Sequence, residues 1–185
     1  ATSPEAPAPA GASARPGLAG LHPGNFAFVM ATGILSLAFQ QLGTPWLAEG
    51  LAAVAIASWL GLLLLSALRV ARHPGEVRRD LLAPALVFGF FTLVAASSIV
   101  GQLLLVRGHP GLALACWGIA FAAWCALLYL AFSVLTFLSH EHNVNIVHGG
   151  WLIAIVGTQS LVLLGAGLVP HLGGWAIYMQ VEIHM

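Results

Sequence analysis

The stretch GGWLIAIVGTQSLVLLGAGLVP, residues 149–170, decides the fold class. It carries no charged side chain, and at about 1.5 Å per helical residue it can cross a hydrocarbon layer about 30 Å thick. Thr158, Gln159 and Ser160 lie at its middle. A glutamine at bilayer depth needs a partner inside the protein or a wet cavity, because lipid offers none. The stretch therefore predicts a transmembrane helix that faces other helices or a pore.

The composition of the whole chain also indicates an integral membrane protein. Of its 185 residues, 59% are hydrophobic and only 6% are charged, with a mean hydropathy of +0.94. Soluble domains carry about 25% charged residues. The neutral net charge argues against a nucleic-acid partner, which would need a basic face. No nucleophile–base pair or phosphate-binding glycine loop predicts an enzyme, and no motif predicts a cofactor.

Five apolar spans predict an all-α membrane protein built from consecutive transmembrane helical hairpins. All are near or above the spanning length of about 17–25 residues. Residues 1–24, rich in alanine, proline and glycine, predict a disordered tail before a transmembrane domain over residues 25–185. The spans cover residues 25–42, 46–68, 81–106, 111–138 and 149–170, and a partial sixth segment covers residues 173–185.

The arginines predict the orientation of these hairpins in the cell membrane. Five of them fall in the N-terminal tail or in the connection after the second span, which lie on one side of the membrane. Only Arg107 falls on the other side. The positive-inside rule therefore places the N-terminus in the cytoplasm. The five arginines are Arg15, Arg69, Arg72, Arg78 and Arg79.

Small and polar side chains concentrate in the odd-numbered spans, whereas the even-numbered spans are mainly aliphatic or aromatic. In the first span they form one stripe within about 80° on a helical projection. Two interpretations stay open: these residues line a path, or they are packing residues that let helices approach closely. On the first interpretation, the pore-lining candidates are Thr32, Ser36, Ser98, Gln102 and Thr158.

Within the fifth span, two neighbouring polar residues point in different directions. Thr158 shares a face with Gly165, and Gln159 projects about 100° away, beside Ala166. Both therefore need not line one path. We predict that Thr158 faces the pore and that Gln159 makes a polar contact with a neighbouring helix.

Ionisable residues are absent from the middle of the spans, and this absence weighs against several classes of membrane protein. No histidine lies deep in a span, which weighs against a membrane cytochrome. Proton-coupled pumps and voltage sensors usually need intramembrane charges. His140, His142 and His148 share one connection and could bind a metal, but a flexible connection offers no ordered outer shell. We therefore predict no metal site and keep metal binding as an alternative.

The order and spacing of several motifs resemble a known family. The first span contains GNFAFVMATGILSLAF, the third FGFFTLVAASSIVGQLLL and the fifth GGWLIAIVGTQSLVLLGA. Between the second and third spans, Arg72-His73-Pro74 precedes the pair Arg79-Asp80. From about residue 21 to residue 170, the chain resembles the tellurite-resistance/C4-dicarboxylate transporter family, which includes the plant slow anion channels.

The resemblance implies ten transmembrane helices arranged as five hairpins around a quasi-fivefold axis. Odd-numbered helices line the pore in that plan, and the assembly is often a trimer. The spans of this chain correspond to about half of such a ring, so we expect a truncated form. Family substrates include malate-like dicarboxylates, sulfite, chloride and nitrate, and tellurite resistance is a phenotype of some members.

The predicted function is transmembrane transport of small anions such as C4-dicarboxylates, by a passive or channel-like mechanism. Its partners are the anion and the lipid bilayer, and the resemblance suggests a homotrimer. The alternative is a structural or interaction subunit of the membrane, or an inactive fragment, that transports nothing.

Overall fold

The computed structural model describes residues 21–83, 86–138 and 151–172, and these residues form helices and turns without a strand. The predictions for residues 1–20, for the connection with His140, His142 and His148, and for the segment 173–185 lie outside the described residues. The α-helices are α1 (Phe26–Gln41), α2 (Pro45–Arg72), α3 (Pro74–Leu82), α4 (Phe91–Val106), α5 (Pro110–Leu138) and α6 (Trp151–Leu168). Short 3₁₀ turns cover Pro23–Asn25, Val87–Phe90 and Val169–His171.

Four helices in the described residues are long and apolar enough to cross a membrane: Pro45–Arg72, Val87–Val106, Pro110–Ser133 and Leu152–His171. They correspond to the second to fifth predicted spans. The first predicted span is α1, whose 16 residues fall short of the usual spanning length of about 20. The chain is thus a multi-pass, nearly all-helical membrane protein.

Tight turns at one end of the bundle produce two of the predicted hairpins. Gly43, between α1 and α2, has φ +75°, and Gly108, between α4 and α5, has φ +79°. Glycine adopts this left-handed backbone without a steric penalty from Cβ. Pro45 and Pro110 then begin the returning helices, where a missing N–H costs nothing.

The connection after the second span is helical, which differs from the predicted boundaries. The sequence predicts a connection over residues 69–80 and a third span from residue 81. In the structure α2 continues to Arg72, α3 follows, and α4 begins only at Phe91. Ala83 is extended (φ −83°, ψ 117°), as expected for a residue before a proline, so the α-helix cannot run through this point.

A buried ion pair fixes α3 to the bundle. Arg69 of α2 is bonded to Asp80 of α3, and their side chains are 5% and 8% exposed. Residues 21–24, which the sequence assigns to the tail, also pack against the bundle. Pro23 is buried, and its carbonyl oxygen accepts a hydrogen bond from Thr92 Oγ1 at 2.9 Å. The bundle is therefore anchored on this side by polar contacts.

The helix α4 is the centre of the bundle. It packs against α1, α5 and α6, and more lightly against α2. Within its spanning window 61% of residues are buried, against 17–28% for the other three spanning helices. The helices α1 and α6 flank α4 and share at most a marginal contact within the described residues. The three therefore form an arc with α4 at its middle.

Candidate functional site

One face of α4 lies between its two flanking helices. On a projection at about 100° per residue, Ile99 and Leu103 lie about 60° and 100° to one side of Gln102. A Cβ on Gly33 of α1 would lie 2.4 Å from Ile99 Cγ2 and 3.5 Å from Leu103 Cδ1. This side of α4 therefore faces α1, and the close approach requires a residue without a side chain at Gly33.

The opposite side of Gln102 faces α6. Leu105 and Gly101 lie about 60° and 100° away in that direction. A Cβ on Gly101 would lie 2.4 Å from Leu164 Cδ2, and a Cβ on Gly167 would lie 3.0 Å from Leu105 Cδ2. Gln102 is therefore midway between the α1 and α6 contacts. We call this face of α4, which carries Ser98 and Gln102, the inner groove.

The helices α2 and α5 approach α4 from behind the inner groove. Ser97 lies about 140° from Gln102, and its hydroxyl accepts a hydrogen bond from Trp59 Nε1 of α2 at 3.1 Å. Val100, about 160° from Gln102, shares a buried cluster with Trp59 and with Cys116 of α5. The contacts thus divide the helices into an inner set (α1, α4, α6) and an outer set (α2, α5).

Of the predicted pore-lining residues, Ser98 and Gln102 lie together in the inner groove. They are one helical turn apart and project within about 40° of each other. Ser98 is fully buried, and its Oγ has no hydrogen-bond partner among the described residues. Gln102 is half-buried, and its Nε2 is also buried without a partner there.

Thr32 and Ser36 lie instead on the buried side of α1, where α1 packs on α2. Ser36 is fully buried and donates to the carbonyl oxygen of Ala48 at 2.7 Å. Thr32 donates to the carbonyl oxygen of Phe28, one turn earlier, at 2.9 Å. Both hydroxyls are engaged in backbone hydrogen bonds. Pore lining by these two residues stays a prediction, and the contacts described here favour a packing role.

The Thr158 hydroxyl is engaged at the α5–α6 interface. It accepts a hydrogen bond from Trp124 Nε1 at 2.9 Å and donates to the Ala154 carbonyl oxygen at 2.9 Å. Gln159, next along α6, is exposed. The described residues thus place Thr158 against an outer helix and place Gln159 on the outside of the bundle. Pore lining by Thr158 and an interhelical contact by Gln159 stay predictions.

Two hydroxyl residues that are not among the predicted site residues, Ser160 and Ser97, lie in or behind the helix contacts that border the inner groove. Ser160 is buried on the side of α6 that carries Gly167, about 20° from it on a projection, next to the inner groove. Its Oγ donates to the Val156 carbonyl oxygen at 2.7 Å. Ser97 holds α2 to the back of α4. The sequence places Ser160 and Gly167 on one face, which is the signal that could have identified Ser160.

Stacked aromatic rings on α5 explain why Thr158 turns toward the outer helix. Phe121 stacks on Trp117 and Trp124, with ring centroids 5.2 Å and 6.1 Å apart. Trp117 Nε1 donates to the Leu161 carbonyl oxygen of α6 at 3.2 Å. A Cβ on Gly165 would lie 3.0 Å from Trp117 Nε1, so the glycine makes room for the indole. The two tryptophans thereby fix the rotation of α6.

A family model described as voltage-dependent anion channel (SLAC1) matches residues 20–183. The chain belongs to the voltage-dependent anion channel family. This match confirms the resemblance read from the motifs. Neither the curated proteins nor the solved structures that were searched gave a match. Membership implies anion transport, and members of the family are channels and transporters rather than enzymes.

The three inner helices of this chain carry no charged side chain. The sequences of α1, α4 and α6 contain no Asp, Glu, Lys or Arg. Arg107, just after α4, is held by Glu49, with Nη2–Oε1 3.0 Å and Nε–Oε2 3.1 Å. Its Nη1 also donates to the Leu103 carbonyl oxygen at 2.9 Å. The polar groups available in the inner groove are therefore neutral.

Two cavities lie away from the inner groove. A wide surface recess of about 580 Å³ lies between α1 and α2, lined by Phe28, Ser58 and Leu65 among others. A smaller one of about 220 Å³ lies among the N-terminal residues, α2, α3 and α4, with Arg69 and His22 in its wall. The described residues contain no cluster of three or more side chains suited to a metal ion. Neither cavity brings the predicted site residues together.

Proposed function

We propose that this anion-channel-family protein provides a passive path for small anions along the inner groove. One observation carries the proposal: α1 and α6 flank a face of α4 that is turned away from both outer helices. That face carries Ser98 and Gln102. Neutral hydroxyl and amide groups bind an anion weakly enough for it to leave again.

The passive character follows from the lack of titratable groups in the described inner helices. Proton-coupled transporters usually hold Asp, Glu or His inside the membrane. The sequences of the three inner helices contain none of these residues. Arg107 is neutralised by Glu49. The proposed mechanism is therefore channel-like diffusion down the electrochemical gradient.

The proposal also covers the assembly, the orientation and the substrates of the protein, which extend beyond the described helices. We propose that α1, α4 and α6 are inner helices of a quasi-fivefold ring, assembled as a homotrimer in the cell membrane with a cytoplasmic N-terminus. C4-dicarboxylates are proposed among the substrates, together with smaller inorganic anions. The division into inner and outer helices supports the ring, and the distribution of the arginines supports the orientation.

A second candidate function is a membrane interaction subunit that transports nothing. The observation in its favour is that three candidate pore residues have their hydroxyls engaged in internal hydrogen bonds. These residues are Thr32, Ser36 and Thr158. The two functions differ in one measurable property, the permeability of a membrane that contains only this chain and lipid.

The deciding experiment is anion efflux from proteoliposomes containing the full chain, with chloride, nitrate, sulfite and malate as separate probes. We expect efflux above that of empty liposomes for at least one of them. Access of water to position 102 is tested with Gln102→Cys in a Cys125→Ser background. A charged thiosulfonate can modify this cysteine only if water reaches it, and the modification should then reduce efflux. Ser133→Cys, at a half-buried position of the outer helix α5, is the matched control. No efflux with any probe would favour the interaction subunit.

The orientation has its own test, which does not depend on transport. Arg78 lies on α3 and His109 lies in the turn between α4 and α5, and both are exposed. An impermeant thiol reagent added to intact cells should label His109→Cys and spare Arg78→Cys. The opposite labelling pattern would reverse the proposed orientation.

A further inference from the structure

The smaller of the two cavities lies at the end of the bundle where α2 ends, between the N-terminal residues, α2, α3 and α4. Its volume is about 220 Å³, and its wall is mainly apolar, with Phe26, Phe90 and Leu93 among the lining residues. Phe26 is 5% exposed, whereas Val70 of α2 is 53% exposed and lines the same cavity. The cavity therefore reaches from the buried core to the outer surface of the bundle.

The charges of α2 indicate the depth of this cavity in the membrane. Glu49 and Arg69 are 20 residues apart, and α2 carries no charged side chain between them. At about 1.5 Å per helical residue they are separated by about 30 Å, which is the thickness of the hydrocarbon layer. Ser66 and Val70, on either side of Arg69 in the sequence, line the cavity. The cavity therefore lies where lipid tails meet headgroups, and α3, which follows α2, lies at headgroup level.

The helix α3 presents an apolar face to the cavity and carries an arginine beside that face. Val77 and Leu81, four residues apart, line the cavity. On a projection at about 100° per residue, Arg78 lies about 60° from Leu81, whereas Arg79 lies about 160° from it. Both arginines are exposed. Arg78 therefore borders the cavity, and Arg79 faces away from it.

The charge of Arg78 is not compensated by the ion pairs of the described residues. Arg69, in the cavity wall, is bonded to Asp80. Arg79 pairs with Glu76 at 3.5 Å. No ion pair of Arg78 occurs in the described part of the chain. The rim of the cavity is therefore positively charged at Arg78.

A histidine in the cavity wall supplies a second donor. His22 is exposed, and its Nδ1 accepts a hydrogen bond from the backbone N–H of Gly24 at 3.0 Å. A neutral imidazole that accepts at Nδ1 carries its proton on Nε2. Guanidinium and imidazole N–H groups both donate to phosphate oxygens, the guanidinium more strongly. The cavity thus combines an apolar interior with donors suited to a phosphodiester.

We propose that this cavity binds one anionic phospholipid from the membrane leaflet on the α3 side. A cavity of about 150 Å³ accepts one benzene ring, so a volume of about 220 Å³ admits a segment of one acyl chain and leaves the rest of the lipid outside. The acyl segment would pack against Phe26 and Leu93, and the phosphate would bind Arg78 and His22. This lipid site goes beyond the proposed function and does not depend on transport.

The test measures lipid binding by native mass spectrometry of the full chain in detergent. Phosphatidylglycerol and phosphatidylcholine with identical acyl chains are supplied as an equimolar mixture. We expect one bound phosphatidylglycerol per chain, favoured about fivefold over phosphatidylcholine, because one arginine near an anionic lipid surface contributes about that factor. Equal binding of the two lipids by the wild-type chain would overturn the site.

Two arginine variants locate the charged part of the site. Arg78→Gln should abolish the preference for phosphatidylglycerol. Arg79→Gln makes the same charge change on the same helix and is the matched control, which should alter the preference by less than about twofold because water and salt screen a charge that faces away. Equal losses in the two variants would overturn the site, since a diffuse basic surface would respond to both arginines alike.

Two serine variants test the apolar part. Ser66→Phe fills the cavity and should weaken the binding of both lipids by about tenfold, because the acyl segment is then excluded. Ser58→Phe makes the same change on α2 at a residue that lines the other recess, and it should bind lipid like the wild-type chain. Unchanged binding in Ser66→Phe would overturn the site.

A competition experiment covers the case in which Ser66→Phe does not give folded, monodisperse protein. Glycerophosphoglycerol has the headgroup of phosphatidylglycerol without its acyl chains. At about a hundredfold excess it should leave the lipid bound to the wild-type chain, because the apolar contacts hold the acyl segment. Displacement by this headgroup alone would overturn the acyl-chain site and would show that the rim binds free phosphodiesters.

Discussion

The indole of Trp124 on α5 donates a hydrogen bond to the Thr158 hydroxyl on α6, with a Nε1–Oγ1 distance of 2.9 Å. The same hydroxyl donates to the Ala154 carbonyl oxygen. Thr158 is therefore bonded on both sides at the contact between an inner and an outer helix. This relationship gives a packing residue a clear experimental signature, because its loss should change stability and leave permeation unchanged.

Thr158→Val should lower the free energy of unfolding by about 1–3 kcal/mol. Valine has nearly the same shape, but it leaves the half-buried indole N–H of Trp124 without an acceptor. The measurement is a denaturant titration in detergent micelles, followed by circular dichroism, alongside anion efflux at matched protein density. Thr158→Ser keeps the hydroxyl and is the control. A large change in efflux with unchanged stability would instead give Thr158 the pore-lining role that the sequence predicts.

The Arg69–Asp80 pair should show the behaviour of a buried ion pair. Asp80→Ala leaves the Arg69 guanidinium without this carboxylate at a buried position, and a loss of about 3–5 kcal/mol is expected. Replacing both residues, as in Arg69→Met with Asp80→Leu, should cost less than Asp80→Ala alone, because no charge is then buried. Arg79→Ala, at an exposed residue of the same helix, is the control and should cost under about 1 kcal/mol. Equal losses in the single and double variants would contradict this account.

Four of the apolar stretches in the sequence coincide with membrane-length helices in the described residues, because span length and hydropathy depend only on local composition. The sequence does not mark the start of α4, because residues 81–94 are almost uniformly apolar and no change in hydropathy accompanies the break. The break comes from the backbone at Ala83, which the following proline holds out of the helical region. Boundaries of this kind follow from single residues rather than from an average over a window.

The sequence also points to hydroxyl and amide residues in the odd-numbered spans, but it does not show in which direction each side chain points. Thr158 and Ser160 are two residues apart and chemically alike, yet one contacts α5 and the other lies beside the inner groove. The rotation of α6 decides which of the two hydroxyls faces α5. That rotation depends on hydrogen bonds from Trp117 and Trp124, which are 44 and 34 residues away from their partners on α6. In a helix that is apolar all round, no hydrophobic face reveals its rotation. Such pairings are visible only once the helices are packed.

Gly33→Ala tests the contact that defines one wall of the inner groove. The new Cβ would lie 2.4 Å from Ile99 Cγ2, so α1 and α4 must separate or Ile99 must move, at a cost of about 1–3 kcal/mol. Gly61→Ala on α2 is the matched control, because no atom lies within 4 Å of its added Cβ and alanine favours the helix.

A double-mutant cycle connects the Gly33 effect to its cause. Ile99→Ala alone should lower stability by about 2–5 kcal/mol through the cavity that it creates. Combined with Gly33→Ala, it should cost less than the sum of the two single variants, because the new methyl group then fills part of that space. Strict additivity of the unfolding free energies would show that Gly33 and Ile99 do not share this contact.

Ser98→Ala and Ser36→Ala should shift stability in opposite directions, although both remove a fully buried hydroxyl. Ser36 loses its hydrogen bond to the Ala48 carbonyl oxygen, and a loss of about 1 kcal/mol is expected. Ser98 Oγ has no partner among the described residues, so its removal should raise stability by about 1 kcal/mol or more. Denaturant titration without added anion measures both changes. Residues kept for function often cost stability in this way, so the more stable Ser98→Ala variant should conduct less and Ser36→Ala should conduct normally. A loss of stability in Ser98→Ala would mean that its hydroxyl is bonded, and the inner groove would then lack the donor on which anion binding depends.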